Sequence, residues 1–148
     1  MLKLDNADHG VKLFESYKKT TGNLLCNHPQ GTPLEVLINE LPFPIASHTN
    51  TSIPLFNYAN LAMLNLFGMT RSEFIGLESS ASASKENQVE RAHLLDTVKS
   101  HGFIDNYQGY RLRKDGTEFF IKKATIWNVF NFKGELDGQA VIIYDWQI

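Results

Sequence analysis

Asp105 and Tyr107 stand two residues apart in a stretch rich in strand-forming residues. Strand alternation puts both side chains on one face, a carboxylate base beside a phenol able to hold an oxyanion. Tyr144 and Asp145 are the same two types as direct neighbours, so they point to opposite faces and cannot share a pocket. Nothing else converges on either pair. The sequence contains no Gly-x-Ser-x-Gly, no His-Glu-x-x-His and no phosphate loop, so these residues read as edge or turn hydrogen-bonding groups and the chain as a non-enzyme. His9, His28 and His48 fall in loops or element ends without metal-ligand spacing, and no metal site is expected. His101 shares a helical face with Leu94 and Val98, whereas His93 points away from that stripe. Its simplest use is to cap free carbonyls in the last helical turn. Cys26, the only cysteine, excludes an internal disulfide and reads as an inert thiol.

Amides form a second group. Asn57 and Asn60 flank a strand-to-helix junction, and Asn128 follows Trp127 in mid-strand, where an amide is out of place unless its donors and acceptors are met. Asn60 is assigned as a helix N-cap. Asn57, Tyr110, Arg111, Thr125 and Asn128 are the polar groups left for contact with a small molecule, and alternation allows only one of Tyr110 and Arg111 to reach a given side.

The elements that must position these groups are legible from caps and periodicity. Asn60 caps the apolar run Leu61 to Phe67, and Gly68 ends it. Thr70 and Glu73 form a capping box, with Met69 and Phe74 as a hydrophobic staple and Gly76 as the stop. Val11, Phe14 and Tyr17 make an amphipathic helix of Asp8 to Thr20. A capping box of Thr32 and Glu35 opens a short helix to Glu40. Ile45 to Thr49 is the first strand and Leu55 to Tyr58 the second. The serine and alanine residues from Ser79 to Ser84 read as a mobile linker, followed by a helix from Lys85 to His101 with Leu94, Leu95 and Val98 inward. Phe103 to Arg113, Glu118 to Asn131 and Gln139 to Gln147 are long antiparallel strands, the first two joined across Asp115-Gly116. Apolar residues in both registers of the last strand mean that both of its faces are covered.

Fourteen basic and sixteen acidic residues leave a net charge of -2. The charges are spread without a basic stripe, so nucleic-acid binding is not expected. The start is polar, and no apolar run approaches a membrane span of ~18 residues, which points to a cytoplasmic protein without a membrane partner.

The phrases PLFNYAN, LAMLNLFGMT, EFIGL, GFIDNYQGYRLRKDGTEFFI, ATIWN and DGQAVIIYDW together resemble the MEKHLA domain, a PAS-like module. The resemblance implies an α+β, PAS-like fold, with a five-stranded curved antiparallel sheet, helices on one face and an N-terminal flanking helix. It divides the chain into a helical flank (1–40) and a PAS-like domain (41–148). It also implies a cavity under the sheet, whose candidate lining is Met63, Phe67, Leu94, Val98, Tyr110, Trp127 and Tyr144, with Asn57, Thr125 and Asn128 as polar contacts. No cofactor is expected. Haem, which some PAS domains hold through a histidine of the long helix, would use His101. Cysteine-adduct flavin chemistry is disfavoured because Leu77 to Glu86 has no cysteine. Function is expected to be sensory or interactive, through a small-molecule ligand or a protein partner. PAS-like domains commonly pair through the flanking helix, so Val11, Phe14 and Tyr17 are the expected homodimer contact. No output domain is evident in the sequence, so a signal would pass to a separate partner.

Overall fold

The computed structural model describes residues 8–84 and 87–148. In chain order the elements are α1 (His9–Thr21), α2 (Leu34–Glu40), β1 (Ile45–Thr49), β2 (Phe56–Ala59), α3 (Leu61–Phe67), α4 (Arg71–Phe74), a 3₁₀ turn (Ser79–Ser82), α5 (Gln88–His101), β3 (Phe103–Leu112), β4 (Glu118–Phe130) and β5 (Leu136–Gln147). The strands form one antiparallel sheet in the order β2-β1-β5-β4-β3, so the last strand of the chain lies in the middle. No helix among the described residues is long and apolar enough to cross a membrane.

Local chemistry sets the helix ends. The Asn60 side chain accepts from the Met63 N–H and Gly68 takes a left-handed φ of 69°, which bounds α3. Thr70 and Glu73 form the reciprocal capping box of α4. The box expected at Thr32 is absent: Pro33, extended at φ -61°, ψ 139°, is itself the N-cap of α2, which leaves Thr32 one residue too far out.

The sheet carries a core on each face. On the inner face α3, α4 and α5 bury Met63, Leu66, Phe67, Phe74 and Val98 against Phe119, Ile121, Ala124, Ile126 and Ile143. Phe74 stacks on Phe56 with ring centroids 4.3 Å apart, and Phe67 meets Phe119 edge-on at 5.4 Å. On the outer face α1 and α2 bury Leu13, Phe14, Tyr17, Leu34 and Ile38 against Tyr58, Trp127, Val129 and Ile142. Tyr17 sets its ring edge-on to Trp127 at 4.9 Å, and its hydroxyl lies 3.2 Å from that of Tyr144. The stripe expected to form a dimer contact therefore packs on the sheet of its own chain: Phe14 and Tyr17 are buried there and Val11 packs at the edge of the cluster.

The segment expected as a mobile linker is built in. Ser79, Ser82 and Ala83 are buried, and Leu55 bridges Glu78, which ties the 3₁₀ turn to the start of β2. Small side chains serve here by fitting closely rather than by burying apolar area. The expected helix start at Lys85 lies outside the described residues.

Candidate functional site

Between the inner face of the sheet and α3, α5 and the 3₁₀ turn lies a cavity of ≈ 80 Å³. Its apolar wall includes Met63, Phe67, Leu94, Phe119, Ile121 and Ile126; its polar groups include His48, Arg91, Tyr107, Arg111 and Gln139. Of the residues predicted to line it, Met63, Phe67 and Leu94 do so, and Val98 is wholly buried in the same core. Asn128 is one step removed. Gln139 Nε2 donates to the Asn128 side-chain oxygen at 3.3 Å and to the Leu95 carbonyl at 2.9 Å, while Asn128 Nδ2 donates to the Lys99 carbonyl at 3.3 Å.

The other candidates lie elsewhere. Trp127 and Tyr144 belong to the outer core, where Tyr144 also packs on Phe43 at 5.1 Å. Both faces of β4 and β5 are apolar, so composition left the phase of these strands open. Thr125 also faces outward and donates to Asp105 at 2.9 Å. Asn57 accepts from the Ser47 hydroxyl, on the side that meets α1. Tyr110 is 49% exposed and lies against the Phe120 ring at 4.8 Å. Arg111, paired in register with the inward Phe119, takes the cavity position instead. His101 is exposed and donates from Nδ1 to the Thr97 carbonyl at 3.1 Å, a last-turn cap away from the cavity. Haem ligation through it has no geometric basis.

Asp105 and Tyr107 do not share a face. Asn106 sits at φ 56° within a register shift between Ile104 and Tyr107, and this extra residue breaks the alternation. Asp105 stays outside with Thr125, while Tyr107 turns inward with its hydroxyl buried, near the Arg111 side chain but without a well-formed hydrogen bond. Its phenol lies along the strand over Gly109, where an added Cβ would fall 2.1 Å from the Tyr107 oxygen. Glycine is what leaves room for this pose.

Arg91, His48 and Gln139 were missed by sequence reasoning. Arg91 precedes Leu94 by three and Val98 by seven, so its place on the inward stripe of α5 was a readable signal. Its guanidinium donates to the Ser79 hydroxyl, and Arg111 donates to the Tyr110 carbonyl at 2.7 Å. Arg111 also stands 5.3 Å from the centroid of the Tyr107 ring. Neither arginine forms an ion pair among the described residues. Burial, then the positive charge of Arg111, lowers the Arg91 pKa to about 10. Burial raises that of Tyr107.

His48 uses Nδ1–H for the Thr49 carbonyl at 3.1 Å, which leaves Nε2 as a buried, unpartnered lone pair. On the outer face the Ser47 hydroxyl gives its proton to Asn57, so His9 Nε2 must be the donor in its 2.8 Å bond to Ser47. Burial pushes both histidines down to about 4. Between pH 6.5 and 4 the unfolded chain thus binds protons that the folded chain refuses, so stability is full above about pH 6.5 and falls as the pH drops toward 4. Urea titrations at pH 7 and pH 4.5 are expected to show this loss, at most about 3 kcal/mol per histidine, and His9→Asn or His48→Asn should flatten it.

The sequence profile of the MEKHLA domain matches residues 7–148. The chain belongs to the MEKHLA domain family. Three solved structures share its PAS-like fold. A PAS domain from Colwellia psychrerythraea superposes with a TM-score of 0.65 at 14% identity, over 74% of this chain and 91% of that one. A light-oxygen-voltage domain studied with a flavin analogue gives 0.61 at 15% identity, over 80% and 87%. The PAS domain of a LuxR-family transcriptional regulator from Burkholderia thailandensis, in complex with ethanol, gives 0.57 at 14% identity, over 73% and 93%. No curated protein matches the sequence. The cavity, at ≈ 80 Å³, is small beside the roughly 300 Å³ at which drug-sized pockets begin, and Leu77 to Glu86 offers no cysteine for a flavin adduct. Among the described residues no group of three or more His, Cys, Asp or Glu could hold a metal ion.

Proposed function

We propose that this MEKHLA domain is a sensory module that holds a small molecule in the inner cavity and reports its presence through α1 to a protein partner, without turning it over. One observation carries the reading. The cavity is lined by His48, whose buried Nε2 lacks a hydrogen-bond partner, and by Tyr107, whose buried hydroxyl makes no well-formed hydrogen bond and has the Arg111 side chain as its nearest polar group, which is costly in a core filled only by side chains. The ethanol bound by the Burkholderia PAS domain is a ligand of suitable size.

The route outward runs through one strand. Ala46 and His48 of β1 line the cavity, while Ser47 between them turns its hydroxyl to His9 of α1. His9 in turn stacks on Tyr58 of β2 at 5.5 Å. A ligand that moves β1 therefore alters a contact of α1 directly, the differential packing that a two-state sensor requires.

The test is an amide NMR titration of the domain with short-chain alcohols, amides and carboxylic acids. Binding should shift resonances of β1 and the cavity wall together with those of α1. In His9→Phe the α1 shifts should vanish while the cavity shifts persist. A panel in which no compound perturbs cavity resonances would overturn the proposal.

A further inference from the structure

Within the reading of the cavity as a ligand site, its charge specifies the kind of ligand. Arg91 and Arg111 both line the cavity and are 9% and 8% exposed. A guanidinium carries five N–H donors, and among the described residues Arg91 donates to the Ser79 hydroxyl and Arg111 to the Tyr110 carbonyl. They come from α5 and β3, opposite walls of one small space, and no carboxylate among the described residues pairs with either. Glu90, whose charge reaches Tyr107, is an exposed residue of α5 and forms no ion pair with them. Two buried cations with no ion-pair partner among the described residues are an unfavourable arrangement for a structural core, and removal of one would relieve the other. The Tyr107 hydroxyl lies beside them, buried and within the influence of the Arg111 guanidinium but without a well-formed hydrogen bond.

We infer that the cavity is built for a small organic carboxylate with an apolar tail, its oxygens held by Arg91, Arg111 and the Tyr107 hydroxyl and its carbons set against Met63, Phe67 and Ile126. Planar guanidinium forks match a carboxylate, and a charged hydrogen bond to each is the strong kind. The size of ≈ 80 Å³ restricts the tail to a few carbons, and the apolar walls disfavour a bare hydrated ion.

The inference is tested by calorimetry and melting of the whole chain with butyrate, its neutral isostere butyramide, and inorganic phosphate. Butyrate should bind and raise the melting temperature, and butyramide and phosphate should not. Arg91→Met and Arg111→Met should each weaken butyrate binding by about tenfold or more, while ligand-free protein melts at or above the wild-type temperature. Arg111→Lys, which keeps the charge, should retain part of the affinity. Equal binding of butyramide, unchanged butyrate binding in both methionine variants, or binding of phosphate in place of butyrate would overturn carboxylate recognition and leave the sensory reading standing. Cavity resonances that respond to no acid and no neutral compound would remove both.

Discussion

Asn60→Ala is expected to cost the fold about 3–6 kcal/mol, a large share of the roughly 5–15 kcal/mol that holds a domain of this size. The side chain is fully buried and uses its whole hydrogen-bonding capacity. Its oxygen accepts from the N–H groups of Ile45 at 2.9 Å and Met63 at 3.0 Å. Its amide donates to the carbonyls of Ile38 at 3.0 Å and Phe43 at 2.9 Å. One residue thus joins α2, the connection into β1, β1 itself and α3. Alanine strands the Ile45 and Met63 N–H groups and the Phe43 carbonyl and leaves the Ile38 carbonyl only a long 3.4 Å bond from the Leu41 N–H, and each buried orphan costs about 1–3 kcal/mol before relaxation. Asn60→Asp should be no milder, since it turns a carboxylate oxygen toward two carbonyls. Thr70→Ala, which removes the exposed cap of α4, should cost only about 1 kcal/mol. Urea denaturation of the three variants measures the ranking, and an Asn60→Ala midpoint close to that of Thr70→Ala would refute it.

Gly138→Ala should be nearly as damaging for a steric reason. Gly138 pairs with Thr49 across the β1–β5 ladder, and a Cβ there would lie 2.0 Å from the His48 carbonyl oxygen and 3.1 Å from its carbon. Both obstacles are backbone, so no rotamer relieves them and the two strands must part. A cost of about 3 kcal/mol or more is expected. Gly134→Ala is the comparison: it meets nothing within 4 Å and bears only the strain of a left-handed φ of 82°, about 1–2 kcal/mol. Because His48 and Gln139 flank this crossing and line the cavity, Gly138→Ala protein that remains folded should also lose the butyrate binding proposed above. Thermal melts with and without butyrate measure both effects, and wild-type stability would sink the argument.

Features fixed by local chemistry were legible in the sequence. The Asn60 cap, Gly68, the Thr70–Glu73 box and the bounds of β1 depend on residues a few positions apart. The family resemblance supplied the five-stranded sheet, and the apolar residues in both registers of the last strand supplied its two covered faces. Side-chain phase was less accessible, because it is set by pairing with distant strands. The extra residue at Asn106 separates Asp105 from Tyr107, and the Arg111–Phe119 pairing sends Tyr110 outward. Trp127 and Tyr144 were placed on the wrong face because apolar character on both sides of a strand erases the signal that tells them apart. Arg91 escaped because a charged residue in a helix reads as solvated unless its whole stripe is followed.

The covered back of the sheet bears on how this domain can be handled and borrowed. Versions trimmed to begin at β1 would bare Tyr58, Trp127, Val129 and Ile142 at once, a contiguous sticky area of the kind that recruits neighbours. Pairing or precipitation of such fragments would report the missing lid of α1 and α2, not a native assembly, and grafts of the domain onto other proteins should carry the flank with them.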